Sequence, residues 1–176
     1  MNIRTFKNLK PDIGQRVYID PQASVIGNVK IGDDSSIWPG SVVRGDVNYI
    51  HIGQRTNIQD NSTIHVSRDS DDHPGGYPTI IGDDVTVGHH VILHACKIGS
   101  RCLIGMGSLV MDNVTIEDDV MLGAGSLVTQ NTILSAGHLY LGRPAKPVRE
   151  LREEELQRLV YSAQHYVRLK DQYLAS

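Results

Sequence analysis

Between positions 44 and 94 the chain gathers residues suited to metal chemistry: Arg44, Asp46, Asn57, Gln59, Asp60, His65, His89 and His94. Neutral imidazoles are common ligands of divalent transition metals, and nearby carboxylates and amides can orient the rings and whatever the metal binds. Such chemistry needs residues distant in sequence to converge, so it depends on an element that fixes their phase.

That element is a repeat. An aliphatic residue returns at nearly every sixth position: Ile19, Val25, Ile31, Ile37 and Val43, then Ile52, Ile58 and Ile64, then Ile81, Val87 and Leu93, then Ile98, Ile104, Val110, Ile116, Leu122 and Val128. Four places after most of these stands a small or β-branched residue such as Ala23, Ser35, Ser41, Thr56, Ser62, Val85 or Cys102, and glycine often follows the aliphatic directly. A hexad is too short for a helical unit and reads as one side of a three-sided parallel β-coil, an all-β solenoid.

Counting each step between aliphatics as one side sorts the hexads into three faces. The face starting at Ile31, Ile52, Ile81, Ile98 and Ile116 continues with Gly32, Gly53, Gly82, Gly99 and Glu117 and is nearly featureless. The face starting at Val25, Val43, Ile64, Leu93, Val110 and Val128 continues with Ile26, Arg44, His65, His94, Met111 and Thr129. Arg44, His65 and His94 therefore stack on successive coils at about the 4.8 Å strand spacing, close enough for two imidazoles to share an ion. Like groups on adjacent rungs repel when protonated, and no acid stands where it offsets both. His89 is the candidate third ligand. It falls at a corner that carries Asp60, preceded by Gln59, one coil earlier; reach around that corner and reach into a neighbouring subunit both remain open. Three-fold packing of such prisms would set the corner of one chain against the face of the next in a closed ring. His51, His73, His90, His138 and His165 read as ordinary polar surface, and Cys96 and Cys102, which make no metal spacing, as structural thiols.

One domain of ordinary size suits 176 residues. A net charge of −3 without any basic run argues against nucleic acid and anionic membranes as partners. No signal-like or spanning apolar run is evident, so a soluble, cytoplasmic chain is expected. Residues 1–148 are expected to form the coil, with an N-terminal capping segment and a protruding loop at about 67–78 rich in Asp, Gly and Pro. The hexads fade after Val128, and Pro144 and Pro147 punctuate the exit. Residues 149–176 read as an amphipathic α-helix packed on the coil, with Leu156, Leu159, Val160, Ala163, Tyr166, Val167 and Leu174 at helical spacing and Glu153, Glu154 and Glu155 at its positive end.

With these columns in place the chain resembles the γ-class carbonic anhydrase family, a branch of the left-handed parallel β-helix hexapeptide-repeat proteins. The carriers are Arg44-Gly45-Asp46, Asn57-Ile58-Gln59-Asp60 with His65, Gly88-His89 with His94, and Gly142-Arg143-Pro144-Ala145 ahead of the helix. The handedness of the coil is taken from this resemblance. It further implies a homotrimer with interfacial metal sites, His65 and His94 from one subunit and His89 from its neighbour, around Zn2+ or alternatively Fe2+ or Co2+. Gln59 would hydrogen-bond the metal-bound water or hydroxide, Arg44 would pair with Asp60 across the interface, and Asp46 and Asn57 would act behind them. Tyr166 matches the active-site tyrosine of the family. The implied reaction is reversible hydration of carbon dioxide to bicarbonate by a metal-bound hydroxide, with bound water brought to a pKa near 7.

The pattern also departs from its prototype. Where prototype members carry glutamates, directly after the aspartate of the first motif and three residues after the first histidine, this chain has Val47 and Arg68. The second of those acids serves proton export, so slow turnover is expected. Two other functions fit such a coil: acyl-CoA thioesterase or acyltransferase chemistry, and a metal-stabilised trimeric scaffold without catalysis.

Overall fold

The computed structural model describes residues 2–176. The three faces counted from the sequence are three ladders of parallel strands. Val25, Val43, Ile64, Leu93, Val110 and Val128 stack as register partners on one. Ile31, Ile52, Ile81, Ile98, Ile116 and Leu134 stack on the second. Ile19, Ile37, Ile58, Val87, Ile104, Leu122 and Tyr140 stack on the third. All of these side chains are buried and form a single core. We call the three the histidine face, the plain face and the helix-covered face.

The narrow interior explains the small residues between the aliphatics. Their hydroxyls also satisfy carbonyls at the corners of the next coil: Ser35 Oγ donates to Gly53 O at 2.8 Å, Ser41 to Gln59 O at 2.8 Å, Thr56 to Gly82 O at 2.8 Å and Ser62 to Gly88 O at 3.0 Å. A buried carbonyl without a partner costs free energy, so this column stabilises the turns as well as fitting the space.

Two long strands, Ser24–Ile31 and Val42–Ile52, run around a corner and join the histidine and plain faces into one sheet. Gly27 pairs with Gly45 at the bend. A Cβ on Gly45 would lie 2.5 Å from the Asn28 carbonyl oxygen, so this glycine allows the two backbones to pass. Strand alternation then puts Arg44 and Asp46, its two neighbours, on the same side of the sheet.

The coil extends further than the hexads suggest. Ile133–Leu134 and His138–Gly142 continue it, and Ala145–Glu150 folds back antiparallel on the latter. Because Arg149 and Glu150 still pair with Leu139 and His138, the helix starts only at Glu153 and runs to Ala175. Glu155 accepts from the Arg152 backbone at 2.9 Å and pairs with Arg149, whose side chain holds its carboxyl well below the usual range.

The helix lies on the third face over Ser36, Asn57 and Thr86, with Leu159 and Ala163 buried against it. Its C-terminal half departs from the simple apolar stripe: Leu174 is exposed, whereas Lys170 is fully buried. Lys170 Nζ donates to Asp34 Oδ1 at 3.1 Å and also pairs with Asp171. Tyr166 and Tyr173 join Tyr18 and Trp38 in an aromatic cluster with ring centroids 5.1–5.8 Å apart. No helix among the described residues is long and apolar enough to cross a membrane.

Candidate metal centre

His65 and His94 are register partners at the ends of Thr63–His65 and Ile92–His94. Their rings approach with His65 Nδ1 3.2 Å from His94 Nε2. Two nitrogens each about 2.0–2.1 Å from a tetrahedral zinc lie roughly 3.4 Å apart, so the pair fits two vertices of such an ion. Each ring has its own carboxylate: His65 Nε2 lies 3.0 Å from Asp46 Oδ1, and His94 Nδ1 lies 2.6 Å from Asp112 Oδ1. Asp46 is in turn bonded by Arg44. Burial acts to raise the Asp46 carboxyl, but hydrogen bonds from His65 and Arg44 outweigh it and hold the group below its ordinary value. Burial pushes the His65 imidazole below its ordinary value, which favours the neutral ring a metal requires.

The other residues form a second group at the corner between the helix-covered and histidine faces. His89 Nδ1 is 2.9 Å from Asp60 Oδ2, and its Nε2 takes no partner within the chain among the described residues. Gln59, almost fully buried, donates its amide to Asn57 Oδ1 at 3.0 Å. Asn57 donates to Thr86 Oγ1, which donates to Ser162 on the helix at 3.0 Å, so the helix steadies this chain of amides. Beside them is a groove of about 470 Å³ lined by Gln59, His89, Met106, Met121, Arg158 and Tyr166. Burial and the charge of Asp60 raise the Tyr166 phenol above its ordinary value, so at neutral pH it keeps its proton.

One chain thus carries two separate groups of the expected site residues: His65 and His94 with Arg44, Asp46 and Asp112, and His89 with Asn57, Gln59, Asp60 and Tyr166. Among the described residues no three His, Cys, Asp or Glu side chains converge tightly enough to hold an ion. His89 therefore does not reach around its own corner to the pair; it turns to Asp60. Within the chain Arg44 pairs with Asp46 and Asp60 with His89.

The histidine stack also has acids where the column count expects none. Asp112 escaped that count because it follows Met111, the residue in register with His94, and so sits one place past the column at a turn. Its only signal is a distance of 18 residues, one coil, from His94. His90 remains an exposed corner residue whose N–H donates to Asp60 O at 3.0 Å. His73 contacts Tyr77 in the loop, and His165 stacks on Tyr161. Cys96 and Cys102 are buried free thiols, the latter pushed up to about 12 by burial.

The family described as "Bacterial transferase hexapeptide (six repeats)" matches residues 10–45 and 95–130, and "Hexapeptide repeat of succinyl-transferase" matches 78–110. The chain is 56% identical to Protein YrdA of Escherichia coli, over 98% of this chain and 94% of that one. It is 44% identical to gamma carbonic anhydrase 2, mitochondrial, of Arabidopsis thaliana over 94% of this chain and 60% of that one. It is 42% identical to the carbonic anhydrase of Geobacillus kaustophilus over 97% and 90% of the two chains. Among solved structures, a hexapeptide transferase family protein from Anaplasma phagocytophilum superposes with a TM-score of 0.90 at 42% identity, covering 97% of both chains. Sequence, coil and histidine placement agree on one assignment: the chain belongs to the γ-class carbonic anhydrase-like family of hexapeptide-repeat proteins.

Proposed function

We propose that the protein catalyses reversible hydration of carbon dioxide to bicarbonate in a homotrimer, where the His65–His94 half-centre of one copy meets the His89 half-centre of the next. The observation that carries this reading is the imidazole pair with ring nitrogens 3.2 Å apart and a carboxylate behind each ring. The surfaces support the assembly. Outward positions on the plain face are largely polar, with Lys30, His51 and Lys97, and the helix covers much of the third face. The histidine face presents the exposed Ile92 with half-buried Val42, Leu109 and Leu127 around it, whereas the plain face exposes a large apolar side chain at Ile133, on the last coil. An uncovered apolar face beside unpaired ligands suits an interface between copies.

Zn2+, or alternatively Fe2+ or Co2+, held by His65, His94 and the neighbouring copy's equivalent of His89, would act as a Lewis acid that makes water acidic enough to supply hydroxide near neutral pH. The residues of the chain do the rest. Asn57 holds the Gln59 amide nitrogen, leaving Gln59 Oε1 to accept a hydrogen bond from the reacting oxygen and fix its orientation. Tyr166, kept protonated, serves as a donor toward the same groove. Met106 and Met121 give the groove an apolar side, suited to a nonpolar gas and to excluding bulk water. Proton export is the weak step, because Val47 and Arg68 stand where an acid would relay it, and turnover is accordingly slow.

Stopped-flow hydration of carbon dioxide by protein reconstituted anaerobically with Zn2+, Fe2+ or Co2+ tests this. Activity in the wild type and none in His94→Ala is the expected result; full metal occupancy without hydration overturns it in favour of a scaffold. A second reading, acyl-thioester chemistry, draws on the groove, whose volume of about 470 Å³ far exceeds what carbon dioxide needs. Turnover of acyl-CoA esters by a protein inactive toward carbon dioxide would move that reading ahead.

A further inference from the structure

The structure assigns to Asp112 the role of positioning residue for the metal pair: it holds His94 with Nε2 bare, so that together with Asp46 it selects a mixed donor set, Nδ1 of His65 and Nε2 of His94. This inference rests on the metal-site reading above and extends it to which ring nitrogens bind and why.

The argument is a count of hydrogens along one line of contacts. Arg44 bonds Asp46; Asp46 Oδ1 is 3.0 Å from His65 Nε2; His65 Nδ1 is 3.2 Å from His94 Nε2; His94 Nδ1 is 2.6 Å from Asp112 Oδ1. An ionised carboxylate only accepts hydrogen bonds, so each ring must donate to its own aspartate. A neutral imidazole has one N–H, and metal binding requires neutral rings. With both rings in that form, His65 carries its hydrogen on Nε2 and His94 on Nδ1, and the two nitrogens that face each other both present lone pairs. Two lone pairs at 3.2 Å repel unless a proton or a metal cation sits between them, so with neutral rings the two aspartates leave both facing nitrogens as donors for a positive ion. Without Asp112 the His94 ring can place its hydrogen on Nε2 and donate it to His65 Nδ1, which closes the pair on itself and removes both donors.

Charge points the same way. Asp46 and Asp112 lie at this half-centre, and Asp60 lies behind His89 at the other. With Arg44 they bring a net charge of about −2 to each completed site, matching a divalent cation in a partly buried place. The three histidines are alike in having a carboxylate behind the ring, and Asp112 is the member of that set lying beyond the sequence motifs.

The test uses the full-length protein without metal, labelled with ¹⁵N in histidine and kept slightly alkaline, where long-range ¹H–¹⁵N correlations report which ring nitrogen bears hydrogen. The expected wild-type result is Nδ1–H for His94 and Nε2–H for His65. Asp112→Ala should move His94 toward Nε2–H and weaken Zn2+ binding about ten- to a hundredfold in competition with a chelator. Asp112→Asn retains an acceptor at the same place, so it should retain the wild-type tautomer; this separates positioning from simple damage to the turn. Nε2–H on His94 in the wild type, or Zn2+ affinity within twofold of wild type in Asp112→Ala, overturns the assignment. Protein that shows these tautomers and binds Zn2+ without hydrating carbon dioxide sinks the proposed function and leaves Asp112 in its role. Active protein with Nε2–H on His94 does the reverse.

Discussion

Two corners of the same prism have been put to opposite uses. Between the plain and helix-covered faces, successive coils carry Arg16, Asp34, Arg55, Asp84, Arg101 and Asp119, alternating in sign at one position, all with φ of 51–59°. Arg16 Nε bonds Asp34 at 2.8 Å, Arg55 Nε bonds Asp84 at 2.7 Å and Arg101 Nε bonds Asp119 at 2.7 Å. Beside them Asp33, Asp83 and Asp118 accept from backbone N–H groups of the preceding coil at Gln15, Gln54 and Ser100. Between the helix-covered and histidine faces, the successive residues are Pro21, Pro39, Asp60, His89, Met106 and Ala124. There one polar pair stands between residues that cannot extend it. A charge repeated on every coil is matched within the chain and serves register, whereas the pair that interrupts an otherwise apolar corner is the one the proposed function assigns to a neighbouring copy.

That contrast is most exposed to refutation at His89. His89→Ala should lower Zn2+ affinity more than about a hundredfold, beyond the loss of a residue behind a ligand. The same change should leave thermal stability of the metal-free protein within about 0.5 kcal/mol, since the side chain is 42% exposed and bonds only Asp60. Chelator competition and a melting curve check the two halves, and a large stability loss without metal would place His89 among structural residues.

The charged corner should answer in the opposite way. Lys170, fully buried against Asp34, is the ladder's anchor to the helix. Lys170→Met keeps the volume and leaves Asp34 to Arg16, so a loss of about 1–3 kcal/mol is expected by chemical denaturation, with metal affinity unchanged. The pH dependence carries a sign. Asp34 is held below its ordinary value, first by its hydrogen bond to Arg16 and also by Lys170, against the opposing effect of burial. A depressed carboxylate contributes stability that is fully present above its unfolded pKa of about 3.9 and is lost as pH falls through the lower folded value. The stability gap between wild type and Lys170→Met should therefore narrow below about pH 4; a gap that widens on acidification would show that Asp34 is not the partner that matters.

The same contrast explains what the sequence let one read. The coil is legible because one six-residue rule, an aliphatic followed by a small residue, is obeyed at nearly every turn and leaves the interior no alternative filling. Phase then stacked His65 on His94 without further information. Residues that escaped the rule are those placed by contact between separate parts of the chain. Asp112 acts from a turn, one place off the column. Lys170 occupies an apolar position on the helix because Asp34, 136 residues away, receives it. The final turn of coil is only faint in the hexad pattern because Tyr140 fills the position that an aliphatic holds elsewhere. The arginines of the ladder were visible as residues, but their alternation with the Asp-Asp corners appears only once coils of unequal length are laid in register.

The smallest expected effect tests the ladder itself. Arg55 stands between Asp34 on the coil before and Asp84 on the coil after; the hydrogen bond to Asp84 does most to hold its guanidinium protonated, and the charge of Asp34 adds to it. Arg55→Ala removes one partly exposed ion pair and should cost about 0.5 kcal/mol. Arg55→Asp places three carboxylates on successive coils about 4.8 Å apart, so repulsion adds to the lost pair and a total near 1–2 kcal/mol is expected at low salt. Exposed repulsion of this kind is screened as the Debye length shrinks from about 10 Å at 0.1 M salt to about 3 Å at 1 M. The two variants should therefore converge in concentrated salt. Denaturation curves at both salt levels decide the matter: if Arg55→Asp and Arg55→Ala stay equally far apart in both, then alternation of sign contributes nothing to register and the residue matters only for its packing. Neither variant should alter metal binding at the other corner, because the two corners share the coil but no side-chain contact.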